Sequence, residues 1–207
     1  MKFKKLILLL MGLLLSAQII QAQEGKDIKE VNGLEVGTVA PLFTAQDANQ
    51  KTFNLSEAIE QGPVVLIFYR GFWCPVCNKH LSKLQDSLKF IQAAGARVIA
   101  ISPEKPEYLG QMAEQTGAEF TLLYDEDYKI AQAYDVSFKP SSLQLFTYNK
   151  ILGAKLKSTH SDESQRLPIP ATYVLASDGI IHWRQFDRNY KNRSRVHDII
   201  RAIEKIQ

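Results

Sequence analysis

The sequence predicts an α/β domain whose sheet is parallel at its centre and bordered by hairpins. Three observations carry this. Val64-Val65-Leu66-Ile67-Phe68-Tyr69 is an unbroken apolar run between turn residues, the mark of a strand buried on both faces. Cys77, Leu81, Leu84, Leu88 and Ile91 recur at helical spacing directly after it. The strand-like segments Arg97 to Ser102 and Phe120 to Tyr124 then flank a helix over Pro106 to Thr116 with proline in its first turn, and β-α-β-α-β order requires crossovers between parallel strands.

The remaining elements follow from local chemistry. A polar leader, residues 23–35, precedes Gly37-Thr38-Val39-Ala40-Pro41, and this loop with Gln46-Asp47-Ala48-Asn49-Gln50 brackets a short strand, Leu42 to Ala45, that opens the domain as a small hairpin. Ser56 is the predicted N-cap of a helix over Glu57 to Gln61, stopped by Gly62-Pro63. Asp127 to Tyr134 reads as a short helix. Thr172 to Leu175 and Ile180 to Phe186 form a hairpin through Asp178-Gly179, and Val196, Ile199, Ile200, Ile203 and Ile206 form the apolar stripe of a closing helix. Residues 136–168 fit the alternation least and read as an insertion near the active face, with Leu143, Leu145, Phe146, Tyr148, Ile151 and Leu152 supplying a helix against the domain.

With 207 residues, 45% hydrophobic and 23% charged, the chain suits one domain with a substantial core. Its first 22 residues stand apart: Lys2, Lys4 and Lys5 precede the apolar run Leu6 to Leu15, and Ala22 offers a small residue for cleavage. This is the layout of a secretory signal, the competing reading being an uncleaved anchor. The domain then spans 36–207, and the expected location is periplasmic or extracellular. Loss of the three lysines takes the formal charge from +3 to neutral, so the electrostatic basis for nucleic-acid binding is missing, and no membrane association is expected after cleavage. Arg184, Arg188, Lys191, Arg193 and Arg195 are predicted to be a solvated face.

The two cysteines, Cys74 and Cys77, are separated by Pro75-Val76. A disulfide closing so short a loop restricts the unfolded chain little, which suits a bond that opens and closes. At a strand end followed by a helix start, free backbone N–H groups and the helix dipole stabilise a thiolate that would otherwise titrate near ~8.5. The alternative for Cys-x-x-Cys is zinc, with His80 as a third ligand; no further cysteine completes such a site, so no metal or other cofactor is expected and His80 reads as an exposed helix residue. Glu57, Glu60 and Glu104 show no pairing that would indicate general acid–base work.

Phe68-Tyr69-Arg70-Gly71-Phe72-Trp73-Cys74-Pro75-Val76-Cys77 resembles the alkyl hydroperoxide reductase/thiol-specific antioxidant (peroxiredoxin) superfamily, in the peroxiredoxin-like branch that bears a thioredoxin-style Cys-x-x-Cys. The resemblance extends from about Val36 to Ile206. It takes in Val36-Gly37-Thr38-Val39-Ala40-Pro41-Leu42-Phe43, Ile101-Ser102-Pro103-Glu104, Leu122-Leu123-Tyr124-Asp125 and Leu167-Pro168-Ile169-Pro170-Ala171-Thr172-Tyr173-Val174, and the 136–168 insertion is itself similar to that branch. It implies a thioredoxin-like fold, a central mixed sheet flanked by helices, and a dithiol oxidoreductase.

The resemblance leaves the attacking sulfur open. In the peroxiredoxin frame Cys77 attacks a hydroperoxide, Cys74 resolves the sulfenic acid, and a thioredoxin-like donor reduces the disulfide. In the thioredoxin frame Cys74 attacks a protein disulfide and Cys77 resolves it. The extent of the resemblance favours the first. Against it, the peroxiredoxin proline, threonine and arginine positions hold Arg70, Cys74 and Pro170, and Pro170 resembles the cis-proline of thioredoxins. Trp73 is expected beside the sulfurs, and Arg70 either brings a positive charge to them or faces solvent from its loop. A third possibility is a binding module in which the disulfide only fastens the helix start.

Overall fold

The computed structural model describes residues 25–206, so the signal segment 1–22 lies outside the described residues. A seven-stranded mixed sheet runs in the order β2-β1-β5-β4-β3-β8-β9. The elements follow in chain order: β1 (Thr44–Asp47), β2 (Thr52–Asn54), α1 (Leu55–Glu60), β3 (Val64–Phe68), α2 (Pro75–Asp86), α3 (Leu88–Ala93), β4 (Arg97–Ser102), α4 (Pro106–Thr116), β5 (Thr121–Tyr124) and α5 (Lys129–Ala133). Then come β6 (Ser137–Phe138), α6 (Ser142–Phe146), α7 (Leu156–Thr159), β7 (Leu167–Pro168), β8 (Ala171–Leu175), β9 (Ile181–Phe186) and α8 (Val196–Glu204).

β3 lies inside the sheet, parallel to β4 and antiparallel to β8. Every residue of β3 is buried because both faces are covered. Val65 and Ile67 face one core with Leu81 and Leu84 of α2, Leu109 and Met112 of α4, and Ile199 and Ile203 of α8. Val64, Leu66 and Phe68 face the other with Leu55 and Ile59 of α1 and Ile130 of α5. The predicted apolar stripe holds, but the helix breaks at Ser87 into α2 and α3, where the Ser87 N–H donates to the Leu84 carbonyl in a tightened last turn.

Several local expectations shift. The cap of α1 is Asn54 rather than Ser56: its side-chain oxygen accepts from the Ser56 N–H at 3.0 Å, so the helix begins two residues earlier than the serine implied. The helix expected over Asp127 to Tyr134 is a 3-10 turn, Glu126–Tyr128, followed by α5. The leader is part of the fold where described. Val31 is fully buried, and Arg188 donates to the carbonyls of Ile28, Lys29 and Val31. The insertion is tied at its base by the β6–β7 ladder, and α6 continues into a π-helical turn, Thr147–Ile151, that carries the buried Tyr148. π turns concentrate at functional sites.

Candidate active site

The chain leaves the end of β3 at Phe68, crosses a loop from Tyr69 to Trp73, and enters α2 with Cys74 as N-cap and Pro75 in the first turn. The N-cap position decides the electrostatics. Cys74 Sγ takes the place of the usual serine or aspartate oxygen and accepts the Cys77 N–H at 3.4 Å. Arg70 Nη2 donates to the same sulfur at 3.3 Å. Hydrogen bonding from the Cys77 side chain, the Arg70 charge and these donors outweigh burial and hold the Cys74 thiol well below its ordinary value. Cys77 moves the other way: burial and the neighbouring Cys74 push its thiol up, against the pull of Arg193 and Arg70. The pair is in the dithiol state, with both cysteines buried at 0% and 1% exposure.

Arg70 is 2% exposed, not a solvent-facing loop residue. Its guanidinium lies 3.9 Å from the ring centre of Tyr190, 5.0 Å from Tyr148 and 5.1 Å from Trp73. No carboxylate among the described residues pairs with it, so a Cys74 thiolate is the anion that compensates this buried cation. Trp73, 9% exposed, packs at a tilt against Tyr148 with ring centres 5.2 Å apart, and the Arg70 guanidinium that reaches Cys74 Sγ lies 5.1 Å from its ring. Pro170 joins the site by lining a small cavity of about 40 Å³ with Arg70, Tyr148, Ile169 and Tyr190. The Ile169–Pro170 bond is trans, as are all peptide bonds among the described residues, so the resemblance to a thioredoxin cis-proline fails in the backbone.

Four contributors escaped the sequence. Arg193 is not part of a solvated face: its Nη2 lies 3.5 Å from Cys77 Sγ. Tyr148 arrives from the insertion and Tyr190 from the segment after β9. Glu104, read as unpaired, is 1% exposed directly beneath the active-site loop, and its Oε2 accepts the Phe72 N–H at 2.6 Å. A Cβ on Gly71 would come within 2.5 Å of the Glu104 carboxyl carbon, and Gly71 has φ of +150°, so both space and backbone require glycine there. Burial pushes the Glu104 carboxyl up to about 8 against the Phe72 N–H, and the charge of Cys77 acts in the same direction as burial.

His80 is also corrected, from an exposed helix residue to a buried one. Its Nε2 shares a 3.0 Å hydrogen bond with Ser194 Oγ, which in turn is 2.9 Å from Thr172 Oγ1. Burial, with Arg193 nearby, lowers the imidazole to about 4, so it is neutral at pH 7 and serves as a clamp between α2, β8 and the segment that carries Arg193. Among the described residues no cluster of three or more His, Cys, Asp or Glu is arranged to hold a metal ion.

Residues 36–184 match the model of the AhpC/TSA family. Peroxiredoxin Bcp of Escherichia coli is 36% identical over 107 residues, which cover 51% of this chain and 67% of that protein. Among solved structures, peroxidoxin BcpB of Mycobacterium tuberculosis superposes with a TM-score of 0.65 at 19% identity, covering 84% of this chain and 99% of that one. A putative protein disulfide isomerase of Bacteroides thetaiotaomicron gives 0.59, also at 19% identity, covering 84% and 90%. At such identities the structural matches speak for the fold alone.

Proposed function

We propose, for a chain that belongs to the AhpC/TSA family and is a thiol-dependent peroxidase, a catalytic cycle in which Cys74 is the attacking thiolate and Cys77 the resolving thiol. This reverses the roles expected from the peroxiredoxin frame. The observation that carries it is the convergence of Arg70 Nη2 and the Cys77 N–H on Cys74 Sγ, while Cys77 is raised by burial and by its neighbour. The Cys74 thiolate attacks the O–O bond, forming a sulfenic acid and releasing water or alcohol once the leaving oxygen takes a proton. The Cys77 thiol then attacks the sulfenic sulfur, water departs, and the Cys74–Cys77 disulfide forms. A thioredoxin-type dithiol is the expected reductant of that disulfide.

The substrate expected is a small hydroperoxide. Both sulfurs are buried, and the cavity beside Arg70 measures only about 40 Å³, room for a molecule little larger than water. A Cys74 thiolate would serve attack on a protein disulfide also.

Single-cysteine variants separate the sulfurs. Cys77→Ser is expected to consume one equivalent of hydrogen peroxide and accumulate sulfenic acid, detected by a dimedone-type trap, while Cys74→Ser stays inert. The reverse pattern would restore Cys77 as the attacking sulfur.

Export to the periplasm or exterior belongs to the same reading, on the strength of Lys2, Lys4 and Lys5 ahead of Leu6 to Leu15. The mature chain is expected to start near Gln23, as intact mass of the exported protein will report. A full Met1 chain held in the membrane would overturn this.

A further inference from the structure

A cation-lined hollow near the dithiol has no part in the peroxide step. It is a cavity of about 650 Å³ between the start of α2 and the segment leading into α8. Pro75 and Val76, the two residues between the cysteines, form one wall with the stems of Lys79 and Lys83, while Lys191, Arg193 and Arg195 come from the opposite side. No carboxylate among the described residues lines it. Arg195 is neutralised by Asp198 at 2.7 Å, but Lys79, Lys83 and Lys191 have no ion-pair partner among the described residues. The volume is that of a small-molecule site, and such sites combine apolar walls with a few directed charges.

Arg193 joins this cavity to the chemistry. It lines the cavity, and its Nη2 is the guanidinium nitrogen at Cys77 Sγ, whereas Arg70 and its separate cavity belong to Cys74. The buried Nε of Arg193 has no hydrogen-bond partner. In the disulfide state the two sulfurs are not equivalent. The thiol of lower pKa is the better leaving group, so an incoming thiolate attacks Cys77 and expels Cys74, whose charge Arg70 and the Cys77 N–H receive. The attacked sulfur is therefore the one on the side of the large cationic cavity.

We infer that this cavity binds a small anionic thiol, a peptide-sized molecule with carboxylates, as an electron donor to the disulfide; the inference rests on the roles assigned to the cysteines above. Its carboxylates engage Lys79, Lys83 and Lys191, and their pull on Arg193 draws the guanidinium away from Cys77. The donor thiolate attacks Cys77 Sγ, the S–S bond breaks, and its electron pair leaves on Cys74. A second donor thiolate attacks the donor sulfur of the mixed disulfide, releasing the oxidised donor and a Cys77 thiolate that takes a proton from water.

The test uses the full protein oxidised with diamide, so that the peroxide step is not involved, and counts free thiols by acid quench and alkylation. Glutathione serves as the anionic probe, 2-mercaptoethanol as the neutral one and cysteamine as the cationic one, each rate corrected for thiolate fraction. Glutathione is expected to show saturation and, at low salt, a rate about tenfold or more above the other two. Lys79→Glu with Lys83→Glu is expected to remove that advantage by about the same factor while mercaptoethanol reduction is retained, which reports an intact fold. Trapped glutathione should map to Cys77. Equal, non-saturating rates for all three thiols, or an adduct on Cys74, would overturn the inference. Failure of peroxide to oxidise the reduced pair would count against the peroxide cycle instead, and is read in a separate reaction.

Discussion

Arg70→Met is expected to raise the Cys74 thiol pKa and to slow its reaction with hydrogen peroxide at pH 7 by roughly 10²–10³-fold, the loss associated with removing one donor aimed at developing charge. The reason is geometric. Arg70 Nη2 is 3.3 Å from Cys74 Sγ, and the guanidinium is held there by Tyr190, Tyr148 and Trp73 rather than by a carboxylate that would share its charge. Methionine fills much of the same apolar volume and removes both donor and charge. Arg70→Lys restores the charge without the planar fork, so partial recovery is expected. Thiolate absorbance followed against pH, with rapid mixing against peroxide, checks both variants. An unchanged Cys74 titration in Arg70→Met would show that the helix N-terminus alone sets the thiolate.

Glu104→Gln is expected to flatten a pH dependence of stability that the wild-type protein carries between about pH 4.5 and 8. Burial raises this carboxyl from an ordinary value of 4.5 to about 8 in the folded chain. Across that window the native protein retains a proton that the unfolded chain has lost. The stability tied to the proton is complete below the unfolded pKa and disappears as pH rises through the folded one, a change on the order of 3–5 kcal/mol. Glutamine stays neutral and keeps an oxygen for the Phe72 N–H, so the variant should gain stability over wild type toward pH 8 and match it near pH 4.5. His80 and His160, both lowered by burial, to about 4 and about 3, contribute the opposite slope on the acid side. They are common to both proteins and cancel in the difference. Urea unfolding of each at several pH values gives the curve, and a difference independent of pH would refute a protonated Glu104.

The parts of this molecule that sequence revealed are those with local or periodic signatures. The run Val64 to Tyr69 identified a strand covered on both sides, and the stripe from Cys77 to Ile91 identified the helix behind it, because burial imposes a repeat that neighbouring residues record. The dithiol was legible from spacing. What was missed reaches the sulfurs across the chain. Arg193 is separated from Cys77 by 116 positions and comes from a loop with no period, Tyr148 comes from an insertion that breaks the alternation, and Glu104 follows β4 in an isolated bridge to His160. Charged residues outside periodic elements read as solvated by default, as does a histidine off the apolar stripe of its helix, and only the fold reveals that Arg70, Glu104 and His80 are buried. The roles of the two sulfurs depended on N-cap geometry at Cys74, which spacing alone left open.

The packing of Trp73 against Tyr148 has an optical consequence. The chain has two tryptophans, and the other, Trp183, sits on β9 opposite Val174 of β8. Trp73 shares its surroundings with Tyr148, the Arg70 cation and the adjacent Cys74. Thiolates and disulfides quench indole emission to different extents, so conversion of one to the other changes the brightness of this residue in place. In a Trp183→Phe background the protein becomes its own redox indicator, and each half of its cycle can be watched as light without an added dye.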